Sequence, residues 1–591
     1  MDNKIQNFSL AEQQLRQEIV KLIKKVLGAN FKEELIPIEY PPEAKMGDFT
    51  VPCFLLSKNL KKKPVAVASQ LAEAMKPTSL ITKIEYSGPY LNFFVRREEY
   101  NKLVLTEIAK QKSKYGSSKI GKGKKIMVEY FSPNTNKPLT IGHVRNICLG
   151  NSVAKLLNFT GHQVIESTLY NDRGIAIAKT ILGYQKWGQG KTPKQAGKKP
   201  DHFVGDFYVK TAKLEKTDPN LAKEAKRVLQ AWEDDKKEVR KTWEKLMTWV
   251  LDGFSQTLKK LGIKHFDEEY YESHYYREGK KIVEQGLKKG IFIQDKEGVI
   301  YASLEKHGLP NKILLRPDDT SLYVTQDLHL AYLKDKNKLD NSIYVVGSEQ
   351  DLYFQQLFKI LELLGFKNAN KYNHLSYGMI RLPSGKIKSR EGLVEGTVAD
   401  DLINQLERLS KTEIKKRSSG SASGGKGLSE KELNKRAEKI SLAALKFYIL
   451  LVNPKTTMVF NPKESLTFNG RTGPYLQYVY ARVNSIFVKA KAKPTTKVDF
   501  STLSEEIEFE LVKQLAKFPN IISTAVVNYD PSELANYLYD LAKAFSLFYE
   551  KLPIIKAEPK VKKARLLLID DVKIVLAQGL ELLGIETPDK M

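Results

Sequence analysis

From Ile126 onward, short β-rich apolar runs alternate with stretches of helical periodicity, and this alternation restricts the architecture more than any other feature of the chain. KIMVEYF reads as a buried strand; a polar loop follows it, then a helix from about His143 to Asn158. HQVIESTLY, SIYVVG and NHLSYGMIRL read as further strands, and DLYFQQLFKILELLG as the helix after SIYVVG. Strands that alternate with helices form parallel sheets covered on both faces, because each crossover helix must bury its apolar stripe on the sheet. Residues from about 185 to 290 are charged and mostly helical, carry Trp232, Trp243 and Trp249, and read as a helical insertion between the two halves of this fold.

The flanks are of other kinds. At 591 residues the chain exceeds what one core can hold. Residues 1–115 read as a small α+β unit, with a helix at Leu10 to Leu27 and another near Pro64 to Met75; Tyr115 to Lys125 reads as a linker. The sheet region is expected at 120–400. A connecting segment at 400–440 contains the Gly/Ser-rich run SSGSASGGKG, Ser418 to Gly427, which reads as a tether or surface loop. Residues 441–591 read as helices only, the last from Asp571 to Leu583, with Gly584 placed to cap it.

Composition narrows the setting. No run of about 18 apolar residues is present, so no membrane-spanning helix is expected, and the first twenty residues lack an apolar signal-peptide core. Two cysteines, Cys53 and Cys148, are too few for a disulfide framework or a cysteine zinc site, which fits a reducing cytoplasm. A net charge of +27 points to a polyanionic partner, since basic side chains near phosphates release counterions; a lysine-rich solvated surface is the alternative.

The segment Glu129 to Gly150, EYFSPNTNKPLTIGHVRNICLG, is a strand, a loop and a helix N-terminus. Free N–H groups and the helix dipole attract anions there. Gly142 lets a flat group approach the backbone, His143 can donate to a phosphate, and Lys137 adds positive charge in the loop.

This segment strongly resembles the first signature, HIGH, of class I aminoacyl-tRNA synthetases, and its flank SPNTNKP resembles arginyl-tRNA synthetases in particular. The first histidine of the motif is Thr140 here, which offers one shorter hydroxyl donor to the ATP phosphates. GKIKSREG, Gly385 to Gly392, corresponds to the second signature, KMSKS. Lys386 fits its first lysine; Ser389 stands where the second would be, with Lys388 one step away. In family members that lack the second lysine, a lysine before HIGH is thought to substitute, and Lys137 matches that position. The resemblance thus implies ATP, bringing Mg2+ with it, at Gly142, His143, Lys137, Thr140, Lys386, Lys388 and Ser389.

A site for arginine should bury acids, because a planar, permanent cation binds carboxylates through two parallel bonds. Glu129 and Asp327 each interrupt an apolar run, which is costly unless the charge is matched. An internal salt bridge would satisfy either residue alone equally well. The resemblance associates Glu129, Tyr323 and Asp327 with the guanidinium, and Asn134 and Gln350 with the α-amino and carboxylate end. GDFTVP and YSGPYLNFF are similar to the N-terminal domain of arginyl enzymes, which is implicated in contacting the tRNA elbow. TGPYLQYVYAR and LELLGIETPDKM are similar to their anticodon-binding domain, with Tyr549 and Met591 at positions that shape the anticodon pocket.

The resemblance therefore implies a multidomain α/β protein with three parts: a Rossmann-like parallel-sheet catalytic core, a small N-terminal α+β domain and a C-terminal all-α anticodon-binding domain. Its activity would be arginine–tRNA ligase, with tRNA(Arg), arginine and ATP as partners. Activation should need tRNA. A monomer is expected, with no membrane partner and no protein-held metal. The nearest alternatives are another class I specificity and a tRNA-binding protein without catalysis.

Overall fold

The computed structural model describes residues 7–317, 323–383, 398–419 and 428–591. The N-terminal unit begins with α1 (Leu10–Leu27), which Ser9 caps by accepting from the Glu12 N–H and which buries Leu15, Ile19 and Ile23. β1 (Phe49–Pro52) leads into α2 (Phe54–Leu60) and α3 (Pro64–Ala74), whose first residue is a proline that lacks only a donor the helix could not use. β2 (Ile81–Ser87) and β3 (Tyr90–Val95) follow, then α4 (Arg97–Gln111). The strands form an antiparallel sheet in the order β1-β3-β2. Gly47 has φ +114° and sits so close to β3 that a Cβ there would lie 3.0 Å from the Phe93 carbonyl.

The central region is a five-stranded sheet, parallel throughout. β4 (Lys125–Glu129), α5 (Ile141–Phe159) and β5 (Gln163–Tyr170) come first. Four helices then run without a strand: α6 (Ile175–Trp187), α7 (Pro200–Leu214), α8 (Asn220–Glu233) and α9 (Lys237–Lys260). β6 (Glu268–Tyr271) follows, with α10 (Glu272–Tyr275) and α11 (Gly279–Lys288). The short strands β7 (Ile293–Gln294), β8 (Ile300–Ala302) and β9 (Lys312–Leu315) make a separate antiparallel sheet before α12 (Tyr323–Asp335). β10 (Asn341–Gly347), α13 (Asp351–Leu363) and β11 (Asn373–Tyr377) complete the core, in the order β11-β10-β4-β5-β6.

The stretch from about 185 to 290 is mostly helical, but a strand interrupts it: after α9 ends at Lys260, Glu268–Tyr271 is the edge strand of the core sheet, paired in parallel with β5, before α10 and α11. EEYY is short and half acidic, so no apolar run announces it.

β12 (Ile380–Arg381) lies before α14 (Ala399–Ser419), which packs against α15 (Glu430–Leu450). The stretch 400–440 is therefore largely two packed helices, and residues 420–427 of the Gly/Ser-rich run lie outside the described residues. The C-terminal part is not helical throughout: β13 (Met458–Val459) pairs with β12, a two-residue contact too short to leave a periodic signal. α16 (Pro462–Ser465), α17 (Gly473–Ala490), α18 (Glu506–Asn528), α19 (Pro531–Lys551) and α20 (Pro559–Leu582) make up the rest. α20 starts twelve residues earlier than its apolar stripe suggests, with Pro559 in its first turn. Gly584, at φ +69°, ends it: Gly584 N–H donates to Glu581 O at 2.9 Å and Ile585 N–H to Leu580 O at 2.8 Å.

The three parts touch one another directly. Tyr115 donates to Leu515 O at 3.1 Å and stacks on Phe518, and Lys513 lies 3.4 Å from Asp48. The carbonyls at and just past the end of α20 accept from side chains of α5 and α15: Leu582 O from Ser152 (3.0 Å), Glu581 O from Lys155 (3.1 Å) and Gly584 O from Lys446 (2.5 Å). No helix among the described residues is long and apolar enough to cross a membrane.

Candidate active site

The first part of the site is the N-terminus of α5. Thr140 is its N-cap, and a capping box joins Thr140 to His143 in both directions. His143 Nδ1 accepts the Thr140 backbone N–H at 3.0 Å and lies 2.9 Å from Thr140 Oγ1. Burial, with the Lys137 charge nearby, pushes the imidazole down to about 4, so it is neutral at physiological pH. Burial also lowers Lys137, which is half-buried. A Cβ on Gly142 would meet only Thr140 Oγ1, at 3.6 Å, so the start of the helix is open beside it.

Two residues that no pattern in the chain singles out hold this helix in place. Arg145 is fully buried and donates to four carbonyls: Gly378 at 2.6 Å, Met379 at 3.2 Å, Pro454 at 3.0 Å and Thr456 at 2.8 Å. Asn146 accepts from the Phe131 N–H at 2.5 Å and donates to Val345 O, which ties α5 to the ends of β4 and β10. Ala399 N–H, at the start of α14, donates to Leu139 O at 2.8 Å, and Val398 bridges to Thr140. Lys386, Lys388 and Ser389 lie outside the described residues.

The second part is a cleft of about 640 Å3 at the C-terminal ends of the sheet strands. Glu129, Asn134, Tyr323, Asp327 and Gln350 all line it. They come from the end of β4, the loop after it, the first two turns of α12 and the turn before α13. Tyr323 is 77% exposed, at the mouth.

The internal ion pair that the sequence left open for a buried acid is realised at Glu129. Its Oε2 is held by Lys334, which is itself buried and lies 4.1 Å from the centre of the Tyr344 ring. Burial opposes the Lys334 charge most strongly, but Glu129 together with Tyr344 and Tyr270 outweighs it and pushes the pKa up. Among the described residues Asp327 forms no ion pair, and Lys334 and Lys312 act on it only from farther off. Asp327 accepts from the Tyr353 hydroxyl, and burial raises it to about 6.

A third acid, Glu272, also lines the cleft and was missed because its segment reads as part of the insertion. Burial raises it to about 7, although Arg173 stands 3.7 Å away; Asp172 and Asp327 add to the shift. The signal that could have found it is EEYYES, where a third acid follows two tyrosines at a strand end.

A separate pocket of about 420 Å3 lies in the C-terminal helices. Tyr549 and Met591 both line it, together with Tyr478, Arg482 and Lys489. Arg482 lies over the Tyr549 ring at 4.8 Å and donates to the Tyr478 hydroxyl at 2.5 Å. Asp201, His202 and Asp400 have a spacing that could hold a metal ion. Lys199 already reaches two of them, at 3.1 Å from Asp201 and 2.9 Å from Asp400.

Comparison with known proteins agrees with this geometry along the whole chain. Residues 104–461 match the model for tRNA synthetases class I (R), catalytic domain; 476–591 match the DALR anticodon binding domain; and 13–95 match the arginyl tRNA synthetase N terminal domain. The arginine–tRNA ligase of Treponema denticola is 42% identical, over 93% of this chain and 94% of its own length. That of Parabacteroides distasonis is 38% identical, over 98% and 100%. The structure of Thermus thermophilus arginyl-tRNA synthetase superposes with a TM-score of 0.80 at 25% identity, over 98% of this chain and 100% of that one. The chain belongs to the arginyl-tRNA synthetase family, within the class I aminoacyl-tRNA synthetases.

Proposed function

We propose that this chain is an arginine–tRNA ligase in which acids from separate elements grip the substrate guanidinium while the start of α5 and Lys137 hold ATP. The arginine carboxylate attacks the α-phosphorus of ATP, a P–O bond to pyrophosphate breaks, and arginyl-adenylate forms. A terminal ribose hydroxyl of tRNA(Arg) then attacks the carbonyl and AMP leaves. Magnesium enters with the phosphates of ATP. Catalysis rests on positioning and on stabilising phosphate charge.

The observation that carries the reading is the convergence of Glu129, Glu272 and Asp327 on one cleft beside the end of β4. Lys334 matches Glu129, which leaves Asp327 and Glu272 under-compensated and receptive to a cation. Asn134 and Gln350 are at the exposed side of the cleft, suited to the α-amino and carboxylate groups. His143 and Lys137 face the triphosphate, with Lys386 and Lys388 as further phosphate contacts. Tyr549, Met591 and Arg482 suit a base splayed from its stack. A monomer suffices, since one chain lines the whole cleft.

The test is tRNA-dependent, arginine-dependent pyrophosphate exchange. Asp327→Asn should raise the KM for arginine about 30- to 100-fold, the worth of roughly 2–3 kcal/mol for a charge-assisted pair, and leave tRNA affinity intact. Unchanged arginine dependence would remove Asp327 from the substrate. Exchange with a different amino acid would overturn the specificity, and no exchange with any would overturn the activity.

A further inference from the structure

We propose that Thr140 is a positioning residue that fixes the tautomer of His143, and that it does not itself donate to the ATP phosphates. This rests on the reading that His143 contacts those phosphates.

The geometry leaves Thr140 little freedom. Its backbone N–H points at His143 Nδ1 at 3.0 Å, and its hydroxyl lies 2.9 Å from the same nitrogen. A donor aimed at Nδ1 requires that nitrogen to be bare, because an Nδ1–H would meet the N–H head-on. A neutral imidazole has one proton, so it resides on Nε2. The hydroxyl proton has the same acceptor within reach, while its oxygen closes the capping box with the first turn of α5. Thr140 is 8% exposed, and the bridge from Thr140 to Val398 fixes its backbone from the other side. The outcome is a ring held as a permanent Nε2–H donor. Lys137 opposes a second proton on the ring, as does its burial. A protein that must donate one hydrogen bond to a phosphate over a wide pH range is served by a neutral donor of fixed orientation.

A bare capping role predicts something different, and three variants separate the two. Thr140→Ser keeps both the cap and the hydroxyl. Thr140→Asp caps a helix as well as threonine does, but its carboxylate attracts a proton onto Nδ1. Thr140→Val loses the side-chain cap and the hydroxyl and keeps only the backbone N–H at Nδ1. The direct readout is the protonation state of the two ring nitrogens in histidine-labelled protein, by long-range proton–nitrogen NMR, with the His143 signals identified through His143→Gln.

Wild type and Thr140→Ser should show bare Nδ1 and protonated Nε2 from pH 5.5 to 8.5. Thr140→Asp should move the proton to Nδ1 or protonate the ring. Its kcat for pyrophosphate exchange should fall by tenfold or more and become pH-dependent, with a melting temperature close to wild type. Thr140→Val, which keeps the backbone donor, should retain bare Nδ1 but hold the ring less firmly, read as a lower kcat with an unchanged pH profile. A tautomer unchanged in Thr140→Asp would overturn the proposal. Undiminished exchange by His143→Gln would instead overturn the phosphate contact, and leave the tautomer result standing as a statement about Thr140.

Discussion

The substrate cleft and the C-terminal helices both bury carboxylates, and they treat them in opposite ways. In the helices, Glu508 is paired with Arg565 at 2.7 Å, both nearly inaccessible, and the pair is sealed in the packing. In the cleft, Lys334 closes on Glu129, whereas Asp327 and Glu272, the latter with Arg173 only 3.7 Å away, are left with raised pKa values of about 6 and about 7. Unmet negative charge that faces a cavity is a receptor for a cation. Unmet charge sealed inside a bundle is a plain loss of stability. Among the described residues the helices also hold Asp571, a fully buried carboxyl with neither oxygen bonded, whose neutral form burial favours. The difference separates carboxylates kept for binding from those kept for, or in spite of, folding.

The comparison breaks most readily at the floor of the cleft. Lys334→Met strands a buried Glu129 charge, and loss of one partner of a buried pair costs about 3–5 kcal/mol. The melting temperature should fall sharply, and Glu129→Gln with Lys334→Met should recover most of it, because the double change removes both charges. A single variant as stable as wild type would mean that Glu129 is solvated and that the pair is incidental.

The cleft should also respond to pH where the sealed pair does not. Arginine stays cationic throughout, so its binding favours the ionised forms of Asp327 and Glu272. Both are raised in the free protein, at about 6 and about 7. Affinity is therefore weak when they are protonated, rises with pH between about 5 and 7, and levels off above. A gain of about tenfold or more in arginine affinity over that span, by calorimetry, is expected; each unit of pKa shift is worth about 1.4 kcal/mol. Glu272→Gln should flatten the upper part of the curve. A flat wild-type profile would place both carboxylates outside the binding equilibrium.

The C-terminal pocket provides the opposite sign of charge, and with it another kind of sensitivity. Arg482 and Lys489 border Tyr549, so tRNA affinity should fall steeply with salt while arginine affinity scarcely moves. Tyr549→Ala should cost about 1–2 kcal/mol of tRNA binding, the order of one lost base stack, and leave arginine-dependent exchange at saturating tRNA unchanged. An unaltered tRNA affinity would make Tyr549 a packing residue against Phe545.

What could be read from the sequence follows how each feature is encoded. The start of α5 is contiguous: strand, loop, cap and helix occupy Glu129 to Gly150, so spacing alone placed its residues together. The strands β4, β5, β10 and β11 are apolar runs and were legible for the same reason. Glu129 and Asp327 stood out because a charge interrupts an apolar run. Glu272 does not: it follows a four-residue edge strand rich in acids and tyrosines, and only the pairing of β6 with β5 brings it to the cleft. Arg145 was hidden in a helix where a basic residue is ordinarily solvated; its four carbonyl partners are 233 to 311 residues away. The hydroxyl of Thr140 reads as a donor for phosphate, and the fold brings His143 Nδ1 within its reach as well.

Asp571 sharpens the comparison with the smallest effect and the reverse sign. Burial raises its pKa well above the usual carboxylate range, with Asp570 adding to the shift, which favours the protonated form in the folded protein. The unfolded chain ionises it above about pH 4. A group whose folded pKa is raised stabilises most below the unfolded pKa, and that contribution drains away as pH rises toward the folded value. Asp571→Leu, similar in volume and without a polar group to desolvate, should therefore stabilise the protein by about 1 kcal/mol or more near pH 8. The gain should shrink as the pH approaches 4.5, measured as the difference in melting temperature between variant and wild type. A stability gap that stays constant with pH would show that the carboxyl titrates alike in the folded and unfolded chain and is therefore hydrated. A destabilised variant at every pH would mean that the acid makes a hydrogen bond in the native protein, and that the helices, like the cleft, use each carboxylate they bury.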